Sequence, residues 1–295
     1  MKSANELVME RPALRKGIDG EAAVPIKSIL FVVHDDDGLE KRLQAALSLA
    51  RACSAHVQLL QVVPLEAYTV VDTYGGTFVN GQIVDALEQQ AAKVRSRLED
   101  HLSKEDVSWS YEVTTSATLP LLLNNAALAD LMVIGREPRW HEFGRTGPGL
   151  LGALVCSTRT PLCIPGDECE TFDPFGNVLV AWNGGIEAAN AVRSTIGLLR
   201  MASEVRVMRF VEDKEPAVAD TSLLEYLSRH GIHAEIEAHA PKTDTASDLI
   251  ERAVRLGAEY IVMGGYSHSR AGEFLFGGVT RELLGACPIS LVMAH

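Results

Sequence analysis

Hydrophobic and polar positions follow one another along the chain as short aliphatic runs and longer segments with helical spacing. The runs 28–33 and 177–182 are continuous, and the first is followed by Leu39, Leu43 and Leu47 at the spacing of an amphipathic helix. Continuous apolar runs are typical of strands in a parallel sheet that is covered on both faces. The pattern therefore predicts strands and helices in alternation, with five strands in each half of the chain and right-handed crossovers.

The aliphatic runs recur at a nearly fixed distance, which indicates an internal repeat. Residues 28–33 match 177–182 at an offset of 149, whereas residues 129–135 match 258–264 at an offset of 129. The difference of 20 places additional residues in the first half, and the stretch 65–82 is the predicted insertion. The chain is thus predicted to be a tandem duplication.

Four segments follow from this repeat. Residues 1–25 are predicted to form a disordered tail, 26–166 a first domain, 167–175 a linker and 176–295 a second domain. Each domain is expected to be an α/β unit with a doubly wound, parallel, five-stranded sheet of Rossmann-like type. A pseudo-twofold axis relates the two domains.

Composition narrows the classes of function. Lys and Arg number 27 against 39 Asp and Glu, a net charge of −12, which argues against a nucleic-acid-binding protein and against a basic membrane-surface anchor. No apolar run approaches the roughly 20 residues that span a bilayer. Five cysteines without a CxxC pair indicate reduced thiols in a cytoplasmic protein. No metal site is predicted.

Glycines cluster where chemistry is expected, after the first and fourth strands of the second half. In an open parallel sheet, ligands bind beyond the carboxyl ends of the strands, at the point where the winding reverses. Glycine allows a phosphate to approach the backbone, and free N–H groups at a helix start attract its charge. Tight strand-to-helix turns are the alternative explanation. The glycines concerned are Gly184, Gly185, Gly264, Gly265, Gly277 and Gly278.

The spacing of Gly264, Ser267 and, after nine residues, Gly277 resembles the nucleotide loop of the universal stress protein family. The resemblance extends from about residue 26 to the end of the chain, in a tandem-domain arrangement, and is stronger in the second half. It implies an adenine-nucleotide alpha-hydrolase-like fold that binds ATP, with or without Mg²⁺. The implied phosphate contacts are Gly264, Ser267, Gly277, Gly278, Val279 and Thr280. The implied contacts with the base and ribose are Ala181, Trp182, Asn183, Val211 and Met263.

The chain departs from the family pattern at several positions. Ser267 stands where the second glycine is expected, Gly278 where a hydroxyl residue is expected, and Asn183 in place of an aspartate. Each lost or strained hydrogen bond weakens binding by roughly 0.5–1.5 kcal/mol. In the first half, Gly135 is followed by Arg-Glu-Pro, and this degenerate loop favours a scaffold over a binding site.

Two functions from different classes stay open. One is a stress-response protein that binds ATP or a related adenine nucleotide in its second domain and acts as a regulatory or sensor module. The alternative is an interaction scaffold in which both nucleotide sites have lapsed. No catalytic residue is predicted, although slow ATP hydrolysis stays open. Residues 265–269 nearly match the GxSxG nucleophile elbow, but no aspartate follows Ser267 to complete a triad.

The resemblance also implies how the two domains meet. The fifth strand of each unit commonly pairs two domains edge to edge, and residues 162–165 and 290–293 would make that pairing within this chain. Such pairing hides both sheet edges. The partners expected are a small-molecule nucleotide and, as an open question, a second copy of the chain.

Overall fold

The computed structural model describes most of the chain outside the predicted N-terminal tail. The described residues are 26–63, 69–71, 77–79, 81–115, 117–136, 149–166, 169, 171–210, 216–239, 244–265 and 278–295. Within this part, no helix is long and apolar enough to cross a membrane.

Strands and helices alternate along the chain as the hydrophobic pattern predicts. The elements of the first half are β1 (Ser28–Val33), α1 (Leu39–Cys53), β2 (His56–Val63), β3 (Thr69–Val71), β4 (Thr77–Val79), α2 (Gly81–Leu102), β5 (Ser108–Thr115), α3 (Thr118–Ala126), β6 (Leu131–Val133), α4 (Leu150–Ser157) and β7 (Leu162–Ile164). Those of the second half are β8 (Asn177–Trp182), α5 (Ile186–Ser194), α6 (Ile196–Met201), β9 (Glu204–Phe210), α7 (Asp220–Arg229), β10 (Ala234–His239), α8 (Thr245–Leu256), β11 (Ala258–Gly264), α9 (Gly278–Ala286) and β12 (Ser290–Ala294).

One ten-stranded sheet runs through both halves, in the order β10-β9-β8-β11-β12-β7-β6-β1-β2-β5. Each half contributes five parallel strands, and the strand order of one half runs along the sheet in the reverse direction to that of the other. The strands β7 and β12 join them as an antiparallel pair, in which Val292 lies opposite Cys163. The predicted pairing of the fifth strands is therefore present, and it buries two edges that would otherwise expose unpaired backbone groups.

Helices cover both faces of this sheet, which explains why its central strands are continuously apolar. On β1, Phe31 faces one core cluster together with Leu43 of α1 and Leu98 of α2, whereas Leu30 faces the other cluster together with Leu122 of α3. Both clusters contain residues from the two halves. Burying each such side chain stabilises the fold by roughly 1.5–3 kcal/mol.

The first half is longer than the second at two places. The strands β3 and β4 form a separate antiparallel hairpin within the predicted insertion. Helix α2 then extends over 22 residues, against 10 for its counterpart α7, so much of the additional length is helix beyond residue 82. The predicted range 65–82 therefore contains only part of the difference.

The predicted linker contributes to the core of the second half. Phe172 is 1% exposed, and its ring stacks on Tyr260 of β11 with the centroids 5.0 Å apart. A stretch that is polar in sequence thus fixes the start of the second half through one aromatic side chain.

Candidate functional site

The carboxyl ends of β8 and β11 form the crevice where the winding of the second half reverses. The two strands are parallel neighbours, with Ala181 beside Met263 at their ends. Side chains of α5 and α7 belong to the core cluster on one face, and side chains of α8 and α9 to the cluster on the other. A sheet of this topology binds ligands at this point.

Trp182, the last residue of β8, is turned into the core rather than into the crevice. Its side chain is 1% exposed, and its indole N–H donates to Asp220 Oδ1 at 2.9 Å. The same oxygen accepts from Arg209 Nε at 3.1 Å. Of the predicted base and ribose contacts, Trp182 is therefore able to offer its backbone, but not its ring. The sequence did not indicate this three-residue cluster.

Asn183 shapes the turn that leaves β8. Its side-chain oxygen accepts from the backbone N–H of Gly185 at 2.9 Å, which is the local bond that favours asparagine in turns. Gly184 has a φ of +75°, and a Cβ built on it would lie 2.3 Å from Pro216 Cβ. A side chain at position 184 is excluded twice, by conformation and by space. These two requirements are enough to explain a glycine at position 184, whether or not a ligand binds there.

The end of β11 lies directly against α5. A Cβ on Gly264 would lie 2.6 Å from the backbone of Glu187 and Ala188. The next residue, Gly265, donates its N–H to the Ala294 oxygen at 2.8 Å, and His295 Nδ1 lies 2.7 Å from the Gly265 oxygen. The glycines at this strand end therefore have a role in packing. A role in binding a ligand would come in addition to it.

Helix α9 begins at Gly278 and presents its N-terminus at this end of the sheet. The first N–H groups of a helix have no acceptor within it, and the helix dipole favours an anion there. Among the described residues, a Cβ on Gly278 would have no neighbour within 4 Å, whereas Thr280 is 6% exposed. Of the predicted phosphate contacts that the structure describes, Gly278 is exposed, Gly264 and Val279 are half-buried, and Thr280 is buried.

Two carboxyl groups set the local charge near the first turn of α9. Asp244 accepts from the N–H of Ala246 at 3.1 Å, and its pKa is lowered chiefly by the hydrogen bond from the Ser247 hydroxyl. The pKa of Glu282 on α9 is raised by desolvation and then by the neighbouring Asp244. A phosphate at this helix start would meet amides on one side and carboxyl groups on another. A cation bound with it would offset that charge.

Three of the predicted contacts lie outside the described residues: Val211, Ser267 and Gly277. The remaining predicted contacts are brought together at the ends of β8 and β11 and the start of α9. They are Ala181, Trp182, Asn183, Met263, Gly264, Gly278, Val279 and Thr280.

In the first half, a guanidinium fills the corresponding crevice between β1 and β6. Arg42 of α1 is 7% exposed; it donates to Asp36 Oδ1 at 2.8 Å and to the His34 oxygen at 3.0 Å. A Cβ on Gly135, the counterpart of Gly264, would lie 2.9 Å from this guanidinium. The space that a ligand would need is therefore occupied by the chain's own side chain.

The same cluster controls the charge of His34. Burial and then the Arg42 charge lower the pKa of this imidazole from 6.5 to about 4, so it is neutral at pH 7. Its Nδ1 is buried without a hydrogen-bond partner in the described part of the chain. Asn183 holds the equivalent position of the second half and does not titrate, so only the first half carries this pH-sensitive group.

Metal-binding side chains do not converge in the described residues. Within them, no group of three or more His, Cys, Asp or Glu residues is placed to hold a metal ion. All five cysteines are free thiols, and burial raises the pKa of Cys163 far above its ordinary value.

The first half of the chain matches the sequence model of a known protein family. Residues 25–148 match the sequence model of the Universal stress protein family, so the chain carries a universal stress protein domain. This is the half whose glycine loop departs further from the family pattern, whereas the loop motif predicts the stronger resemblance in the second half. The matched segment ends before α4. No curated protein sequence matches the chain.

Solved structures show that the likeness in fold extends over both halves. A universal stress protein from Archaeoglobus fulgidus DSM 4304 superposes with a TM-score of 0.69 at 13% identity, over 90% of this chain and 95% of that one. A putative universal stress protein from Pseudomonas aeruginosa UCBPP-PA14 gives 0.54 at 15% identity, over 91% and 93% of the two chains. The paired five-stranded arrangement is thus a known fold for a chain of this length.

Proposed function

We propose that this chain, which carries a universal stress protein domain, is a stress-response protein that binds ATP or a related adenine nucleotide in its second half and acts there as a regulatory or sensor module. The observation that carries the proposal is the difference between the two crevices. The one between β1 and β6 contains the Arg42 guanidinium, whereas the residue equivalent to Arg42 on α5 is Ala191.

The residues of the second crevice fit a nucleotide. The start of α9 offers backbone N–H groups to phosphate, and none of the described residues lies within 4 Å of a Cβ built on Gly278. Ala181 and Met263 lie side by side at the neighbouring strand ends, where a base would lie; Ala181 is partly buried, whereas the Met263 side chain is 5% exposed and packs in the core. Asn183 retains an acceptor oxygen, although that oxygen already bonds to Gly185.

Binding without turnover is proposed, and the five free thiols fit a reducing compartment such as the cytoplasm. The bound nucleotide would supply a negative charge that the −12 chain holds through amides, the α9 dipole and an accompanying Mg²⁺. The chain's own residues bind and orient it, and none is assigned as a general base.

Isothermal titration with Mg-ATP tests this proposal through the variant Gly278→Asp. Among the described residues the new side chain meets no neighbour within 4 Å of its Cβ, but its carboxylate places a negative charge at the helix start that phosphate would need, so we expect affinity to fall at least about a hundredfold. Gly81→Asp is the matched control, because Gly81 opens helix α2 in the first half and its Cβ would also have no neighbour within 4 Å among the described residues.

Wild type and Gly81→Asp are expected to bind alike. No saturable heat from wild type at millimolar ATP would refute nucleotide binding and favour the scaffold. A Gly278→Asp variant that binds as wild type does would refute the placement at α9.

A further inference from the structure

An open pocket lies beside α5, where the second half meets the first. Its volume is about 400 Å³, within the range of roughly 300–1,000 Å³ that small-molecule sites occupy. Arg159, between α4 and β7, contributes from the first half. The remaining walls are formed by residues of α5, by Ala294 at the end of β12 and by His295.

Two guanidinium groups give this pocket a cationic lining. In the described part of the chain, neither Arg159 nor Arg193 forms an ion pair, and Arg193 makes only a long hydrogen bond of 3.4 Å to Asn190. Most other arginines in the described part of the chain are paired with carboxylates, as Arg229 is with Glu225 at 3.0 Å. In a chain of net charge −12, two such arginines in one pocket indicate a site for an anion.

The other walls favour an organic anion over a bare inorganic one. Ile186 exposes 55% of its surface and offers an apolar contact, while the Asn190 amide offers hydrogen-bond donors. Ser194 already donates its hydroxyl to the Ala191 oxygen. The carboxylate of Glu187 also lines the pocket and opposes an anion, so a ligand would place its charge toward the arginines and away from the first turn of α5.

The pocket adjoins the end of β11, and none of the described residues that line it belongs to α9. His295 lines it and bonds to the Gly265 oxygen, and Glu187 belongs to the turn of α5 that contacts Gly264. We propose that this pocket binds a small organic carboxylate or phosphate monoester, held by Arg159 and Arg193, as an effector site separate from the nucleotide site.

Saturation-transfer NMR with benzoate and phenyl phosphate, and with benzyl alcohol as the neutral probe, tests the site on the full chain. We expect saturable binding of the two anions and none of the alcohol. The stronger of the two anions identifies the class of ligand. The double variant Arg159→Gln/Arg193→Gln should weaken anion binding about tenfold or more.

Arg229→Gln/Arg255→Gln is the matched control, because it removes the same charge from two exposed helical pairs that contribute little to stability. It is expected to bind the anions as wild type does. Saturable binding of neither anion, or equal binding by the Arg159/Arg193 variant, would overturn the proposal. One-for-one displacement of benzoate by Mg-ATP would also overturn a separate site. Because Gly278→Asp should retain benzoate binding, failure of this site and failure of the nucleotide site are distinguishable.

Discussion

The crevice between β1 and β6 and the crevice between β8 and β11 are the same place in two copies of one fold, yet they are filled differently. In the first copy, Arg42 inserts its guanidinium beneath Gly135 and holds Asp36. In the second copy, Gly264 rests on the backbone of α5, and at the start of α9 no described residue lies within 4 Å of a Cβ built on Gly278. In the first copy, a single buried cation thus fills the crevice with a polar cluster of the chain's own groups, Arg42, Asp36 and the His34 oxygen.

The two halves also contact each other at their strand ends, so the first half contributes to the packing of the second. Arg136, which follows Gly135, donates to the backbone oxygen of Cys287 at the end of α9. At the equivalent position of the second half, a Cβ on Gly265 would lie 2.2 Å from Val155 of α4. Each strand end thus contacts the last helix of the other half.

The largest difference is expected between alanine substitutions of the two equivalent glycines. Gly264→Ala places a Cβ 2.6 Å from the backbone of α5, which cannot move without the core, and should lower the free energy of unfolding by about 2–3 kcal/mol. Gly135→Ala meets the end of the Arg42 side chain and should lower it by less than about 1 kcal/mol. Urea unfolding of both variants measures the difference. Equal losses would contradict the description of what fills each crevice.

Removing the Arg42 guanidinium should lower the free energy of unfolding by somewhat less than Gly264→Ala does. Arg42→Ala leaves Asp36 and the His34 oxygen without their donor, and we expect a loss of about 2 kcal/mol in the free energy of unfolding. The control is Arg51→Ala on the same helix, whose exposed pairs with Glu105 and Asp106 should contribute less than about 1 kcal/mol. If both variants lose the same stability, Arg42 is an ordinary surface arginine and the first crevice is not filled in the way described.

The smallest effect is a pH dependence that only the first half should show. The pKa of His34 is about 4 when folded and 6.5 when unfolded, so between these values the unfolded chain binds more protons. Stability must then fall as pH drops from about 6.5 to about 4. His34→Asn, which copies the second half, should remove about 1–2 kcal/mol of this loss, measured by urea unfolding at pH 7 and pH 4.5. Parallel losses in wild type and variant would show that His34 does not titrate in this way.

The sequence predicted the architecture well because parallel strands buried on both faces leave continuous apolar runs, as in 28–33 and 177–182. It predicted the junction of β7 and β12 through the family resemblance. The role of Arg42 was missed, although a signal exists. This residue lies three positions after Leu39 and next to Leu43, on the inward face of α1, where an arginine must find a buried partner.

The clusters around Trp182 and Arg42 depend on which residues the fold brings together across the sequence. Asp220 reaches Trp182 across 38 residues, and the helical pattern alone says nothing of that approach. The glycines of the second half illustrate the same limit. Gly184 and Gly264 match a ligand loop in sequence, but the structure gives each a packing requirement of its own.

Counting the nucleotides bound per chain tests most directly the claim that the two copies share a fold but only one binds. Native mass spectrometry of the full chain with excess Mg-ATP should show one nucleotide per chain in wild type and Gly81→Asp, and none in Gly278→Asp. Two nucleotides per chain, or one that persists in Gly278→Asp, would contradict the account.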